Sequence, residues 1–188
     1  MALESLAIIA GVVIGWMRKG SLLSLTNLRL RWIWLLPISY VLQSVSIHLL
    51  NGVLYEAAIM FSYLALLAFS LFNAKVPGLL WTLGGTLSNF VVMLANGLRM
   101  PAYLPPIEKL TPQVVPLLEH GGLGKSIAMS SATHLNFLGD IFYLKLIPPT
   151  LVSIGDILFA IGIVLFIQKT MTSRKAGMKG EQDSVTAP

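Results

Sequence analysis

"GLLWTLGGTLSNFVVMLA", residues 78–95, decides the fold. The stretch carries no charge. At 1.5 Å per helical residue it approaches the roughly 30 Å of a bilayer's hydrocarbon. Thr82, Thr86, Asn89 and Met93 recur within it at the spacing of one helix face, and Asn96 continues the series just beyond. Gly84 and Gly85 adjoin that face. Small and polar residues in a stripe along a greasy helix fit a membrane span packed on other helices, where hydroxyls and amides hydrogen-bond between neighbours.

The rest of the chain carries the same signal. Its 188 residues are 55% hydrophobic and 11% charged, against about 25% charged in an ordinary soluble domain. Mean hydropathy is +0.78. Four more apolar stretches, at 2–17, 32–50, 55–72 and about 151–167, read as spans. No stretch alternates with period two, which argues against a barrel. The expected architecture is an all-α polytopic integral membrane protein with about five transmembrane helices over residues 1–168. The first charge is Glu4 rather than a positive run, so the N-terminus does not read as a cleavable signal peptide.

Charge placement sets the expected orientation. Arg18, Lys19, Arg29 and Arg31 follow the first span, Lys75 the third, and Lys169, Arg174, Lys175 and Lys179 the fifth. By the positive-inside rule this puts the N-terminus outside and the C-terminus in the cytoplasm. The net charge of +5 comes from these flanking cations, not from a basic, aromatic-laced face, so nucleic acid is not an expected partner. Residues 18–31 read as an interfacial segment with leucines between cations. The polar segment 169–188 reads as a disordered cytoplasmic tail. Residues 97–150 read as an outward-facing, proline-broken cap, with 127–147 a helix lying on or dipping into the membrane.

Several motifs bear on chemistry. "HGGLGKS" (120–126) falls one residue short of a phosphate-binding loop: Glu119 stands where the first glycine belongs, and Pro112 and Pro116 break any preceding strand. Nucleotide binding is therefore not expected. Ser130, His134 and Asp140 could suggest a hydrolase triad, but a triad also needs an oxyanion hole, and no nucleophile elbow is present. His120, His134 and Glu119 lack any recognised metal spacing, and the absence of cysteine removes thiolate chemistry. No catalytic residue, metal or cofactor is assigned. Ser39, Gln43 and Ser46 share one face of the second span. With Thr82, Thr86 and Asn89 they form either inter-helix glue or the walls of a polar cavity between spans two and four. Gly11 and Gly15 give the first span a close-packing motif. Ser153 and Asp156 fit a capping box at the start of the fifth span. Arg99 could pair with Asp140 or Asp156 near the outer surface, so Asn96, Arg99, Asp140 and Asp156 form a candidate ligand cluster.

The segments "NGLRMP" (96–101), "THLNFLGD" (133–140) and "SIGD" (153–156) carry a resemblance. In that order they resemble an uncharacterised family of small multi-pass bacterial membrane proteins, one of the domains of unknown function. The resemblance implies a location in the bacterial cytoplasmic membrane and supplies no activity. Asn96, Gly97, Met100, Pro101, Thr133, Leu138, Gly139, Asp140, Ser153, Gly155 and Asp156 fall on its motifs. The functional expectation is a non-enzymatic accessory or binding module at the outer face, with the lipid bilayer and another membrane protein as partners. A small transporter or channel subunit and a membrane-surface hydrolase are the alternatives.

Overall fold

The computed structural model describes residues 2–120, 123–146 and 149–185, and the backbone alone for 174–185. Apolar runs become helices: α1 (Ala2–Met17), the short α2 (Leu23–Thr26), α3 (Leu35–Leu49), α4 (Gly52–Phe72) and α5 (Leu79–Leu94). Then come β1 (Met100–Ala102), α6 (Leu104–Leu110), α7 (Val115–Glu119), β2 (Ser126–Ala128), β3 (Phe142–Leu144) and β4 (Thr150–Val152). The last element, α8 (Ile154–Val185), carries its backbone across the segment read as a disordered tail.

α5 and α8 run antiparallel with their backbones in contact. A methyl on Gly155 would fall 2.6 Å from the Gly85 carbonyl oxygen, and one on Gly162 would fall 2.7 Å from the Thr82 amide nitrogen. Real Cβ atoms do not tolerate such approaches, so glycine is required on both helices. α1 runs parallel to α8, with Gly11 against Val164 and Ile167 and Gly15 against Met171. The expected close-packing role of Gly11 and Gly15 is met on α8. α4 packs antiparallel to α5: Tyr63 stacks on Phe90 with ring centroids 5.5 Å apart, and Ser70 meets Thr82 at 3.4 Å.

The bundle buries small polar side chains beside its hydrophobic core and leaves large apolar ones exposed. Ser39, Ser46 and Ser62 are 0–1% exposed, while Ile9, Phe61 and Leu80 are 60–64% exposed. Ser39 and Ser46 donate to the carbonyls of Leu35 and Leu42 one turn back, which satisfies their hydroxyls inside the bundle. Thr82, Thr86, Asn89 and Met93 of α5 are all buried.

Two helical segments are long and apolar enough to cross a membrane, Gly52–Phe72 and Ile154–Ser173. The expected count of five is not met on length: α1 and α5 have 16 residues and α3 has 15. That gives them roughly 22–24 Å at 1.5 Å per residue. The helix ends are set by local chemistry. Gly78 takes φ +89° before α5, and after it Gly97 and Leu98 take φ +61° and +58°. The Leu98 amide returns to the Met93 carbonyl at 2.7 Å, closing the last turn.

The cap is not all-α. Residues 127–147 do not form the expected helix; β2, a 3-10 turn at Asn136–Leu138 and β3 occupy the described part. β1 and β2 pair in parallel, with Met100 opposite Ser126 and Ala102 opposite Ala128. β3 and β4 pair antiparallel. The Asp140 amide donates to the Pro101 carbonyl and the Tyr103 amide to the Asp140 carbonyl, adding a third edge beside β1. Long-range backbone bonds replace the local helix that the apolar composition suggested.

Gly84 and Gly85 are adjacent, but nothing lies within 4 Å of a methyl on Gly84. Gly85→Leu is therefore expected to cost about 1–3 kcal/mol or more by overpacking and to lower the thermal midpoint in detergent by several degrees. Gly84→Ala is expected to leave the midpoint unchanged or raised. Equal effects of the two substitutions would contradict the α5–α8 backbone contact.

Candidate functional site

The site begins at the N-terminus of α8. The Asp156 amide donates to Ser153 Oγ at 2.9 Å, and the Ser153 amide donates to Asp156 Oδ2 at 2.9 Å. This is the capping box that the spacing predicts. Asn89 on α5 ties it to the bundle: Ser153 Oγ donates to Asn89 Oδ1 at 2.8 Å, and Asn89 Nδ2 donates to Asp156 Oδ1 at 2.8 Å. Both carboxylate oxygens of Asp156 are engaged. The helix N-terminus and the Asn89 amide together stabilise its charge.

A cavity of about 520 Å³ opens beside this network. Its walls come from α3 (Leu36, Ser39, Tyr40, Gln43, His48), α4 (Tyr63, Leu66), α5 (Thr86, Asn89) and α8 (Asp156, Phe159), with Glu4 from α1. The cap supplies Lys125. Its Nζ donates to Gln43 Oε1 at 2.9 Å and to Tyr63 Oη at 3.4 Å, and lies 5.4 Å from the Tyr63 ring centre. Burial alone would depress this lysine, but the Tyr63 hydroxyl and the Asp156 and Asp140 carboxylates hold its pKa above the ordinary value.

Gln43, Thr86, Asn89 and Asp156 thus line one cavity. Thr82 packs below it, donating to the Leu79 carbonyl. Asn96 and Arg99 do not join them. Asn96 Nδ2 donates to the carbonyls of Val92 and His134, and its Oδ1 accepts from the His134 amide, so it staples the cap to α5. Arg99 does not pair with either aspartate: its Nη1 donates to the Gly124 carbonyl at 2.6 Å, and its guanidinium lies 4.1 Å over the Tyr55 ring. The partners within reach of Arg99 are a carbonyl and a π face, so its role is to hold the loop that carries Lys125.

Asp140 lines a different cavity, inside the cap. Burial and the negative charge of Asp156 push its carboxyl up to about 7, with Lys125 pulling the other way. The triad residues do not converge. Ser130 closes a turn, its Oγ accepting from the Ala132 amide while Thr133 Oγ1 accepts from its own amide. His134 is exposed. Among the described residues no three His, Asp or Glu gather as metal ligands.

A family of unknown function, DUF5317, matches residues 27–168. The chain belongs to that family. No curated protein and no solved structure matches it. The DUF5317 region takes in every cavity residue named above except Glu4.

Asp140 gives a pH signature. A carboxyl raised from 3.8 to about 7 binds its proton more tightly folded than unfolded. Its contribution is fully favourable below the unfolded value and is lost as pH rises through the folded one. Wild type is therefore expected to lose stability between pH 4 and 7, and Asp140→Asn to flatten that slope in thermal midpoints taken across the range. An unchanged slope in the variant would place the titration elsewhere.

Proposed function

We propose that this DUF5317 protein is a five-span, non-enzymatic binding module of the bacterial cytoplasmic membrane, holding an anionic amphiphile beneath its cap. The N-terminus and cap face outward and the C-terminus lies in the cytoplasm. Support for five spans comes from the outward apolar faces of α1, α3 and α5, which expose Ile9, Val41 and Leu80 as the two longer helices expose Phe61 and Ile161. Exposed apolar surface of this extent suits lipid rather than water. Short spans are accommodated by local thinning of the bilayer. Arg18 bonds to Gln168, and the Asn73 side chain clasps both the amide and the carbonyl of Arg31. Arg18, Arg31 and the neighbouring Lys75 therefore gather at the bundle end opposite the cap, the end the positive-inside rule assigns to the cytoplasm.

The ligand reading rests on one observation: Lys125 reaches from the cap into the bundle cavity, with Gln43 and Tyr63 as its hydrogen-bond partners. An ammonium has three donors, so one remains for an incoming anion. The cavity is graded. Its charged groups, Lys125, Asp156 and Glu4, sit at the cap end, while Leu36 and Leu66 line it toward the opposite end of α3 and α4. A charged head with an apolar body matches that gradient, and the volume falls within the usual range for small-molecule sites. A channel would need polar groups along the full length; Ser39, toward the far end, already gives its proton to Leu35.

Decyl phosphate titrated into the chain in neutral detergent is expected to give a one-to-one adduct by native mass spectrometry. Lys125→Met is expected to weaken it about tenfold or more, the scale of a lost charge-assisted bond, while Lys109→Met on the exposed face of α6 leaves it intact. Equal binding by Lys125→Met would sink the ligand reading. Reporters fused ahead of residue 2 and after residue 168 are expected in opposite compartments; a shared compartment would overturn the five-span threading.

A further inference from the structure

We propose that the cap holds a second, separate binding site, for a small organic cation with an apolar body, seated on the Asp140 carboxylate. The cavity there is about 290 Å³, at the small end for ligand sites. Its walls are mainly apolar, with Ile107 and Leu110 of α6, Leu118 of α7, Tyr143 of β3 and Leu151 of β4, and carry the hydroxyls of Thr111, Ser126 and Thr150 between them. The one charged side chain among its lining residues is Asp140.

Asp140 is placed by its backbone. Its amide donates to Pro101 at 2.9 Å and its carbonyl accepts from Tyr103 at 3.0 Å, so the side chain is aimed by the pairing with β1. Gly139 permits that pairing, since a methyl there would crowd the Pro101 carbonyl oxygen. Asp156, by comparison, has both oxygens bonded. No hydrogen bond or ion pair engages the Asp140 carboxylate among the described residues. Lys125 attracts it from the bundle side, but the Lys125 ammonium is held by Gln43 and Tyr63. Asp140 is half-buried, and its carboxylate opens into the cavity without a bonded partner, free to accept from a donor seated there.

The lining chooses the class of donor. An anion would be repelled by Asp140. A bare metal ion needs several oxygen or nitrogen ligands, and no three acidic or histidine side chains gather among the described residues. A protonated amine on an aromatic or aliphatic body satisfies the carboxylate with one end and fills the leucine-lined space with the other. The raised carboxyl fits this reading, because a cation in the pocket competes with the proton. The charged groups that bear on this equilibrium are Asp156 and Lys125 from the bundle side, and Tyr143 stands in the cavity wall. Glu108 and Lys109 on α6, Glu119 at the end of α7 and Lys145 after β3 are exposed. Binding should therefore tighten as pH rises through about 7.

The test is calorimetric titration of phenethylammonium, with 2-phenylethanol as its uncharged counterpart, into the full chain in phosphatidylcholine nanodiscs at pH 8. The amine is expected to bind at least about tenfold tighter than the alcohol, and to weaken as pH is lowered to 6. Asp140→Asn is expected to remove that preference. Ile107→Trp, which fills the pocket and leaves the carboxylate in place, is expected to remove binding of both. Equal affinity for amine and alcohol would overturn the proposal, as would full binding by either variant. Decyl phosphate titrated into the same samples reads the bundle cavity, so its success alongside amine failure would defeat the cap site alone.

Discussion

The contact between α5 and α8 is a backbone contact, and the rest of the molecule is arranged around it. Gly78, just ahead of α5, and Gly85 within it meet Gly162 and Gly155 of α8, seven residues apart on each side. Close van der Waals approach and interhelical hydrogen bonds hold the two helices together, and in a bilayer, the proposed setting, no hydrophobic drive would add to them. The glycines supply the approach. Asn89 supplies the bonds, because the same close distance brings its amide within reach of both Ser153 and Asp156. α1 then seats on the far side of α8 through Gly11 and Gly15, and α4 on α5 through aromatic stacking.

From that contact the polar chemistry follows. A carboxylate at the start of a long apolar helix needs compensation, and Asp156 receives it from a helix N-terminus and an asparagine. Its charge is then available to Lys125, which the cap lowers into the bundle. The cap in turn is positioned by side chains that read as ligands in the linear sequence. Asn96 grips the backbone at His134, and Arg99 grips the backbone at Gly124. Leu98 accepts a left-handed φ of +58°, and its burial against Tyr55 and Met93 holds it there.

Helices were legible because their cause is local. The apolar run at 2–17 coincides with α1, 55–72 with most of α4 and 78–95 with α5, and the Ser153–Asp156 spacing announced the start of α8. The polar face of α5 was legible for the same reason, since period and residue type both sit within a few turns. The cap was not. Residues 127–147 are apolar enough for a helix, yet their backbone partners lie at Pro101 and Ala102. Lys125 escaped notice as a site residue because its partners stand 62 and 82 positions away, and its loop drew attention only as a failed phosphate motif. Arg99 was read as an ion-pair partner, whereas a tyrosine face 44 positions back satisfies it. Of the four residues grouped from sequence, Asp156 lines the bundle cavity, Asp140 lines the cap cavity, and Asn96 and Arg99 hold the cap's backbone.

Lys125 belongs to the cap by chain connectivity and to the bundle by its hydrogen bonds. The loop bearing it is latched by Arg99 at the adjacent Gly124 carbonyl. The ammonium's place in the cavity is therefore set by where this loop sits on the bundle, and the cavity's positive charge is a property of that seating. The position of this loop and the presence of a positive charge in the cavity are in this way tied to one another.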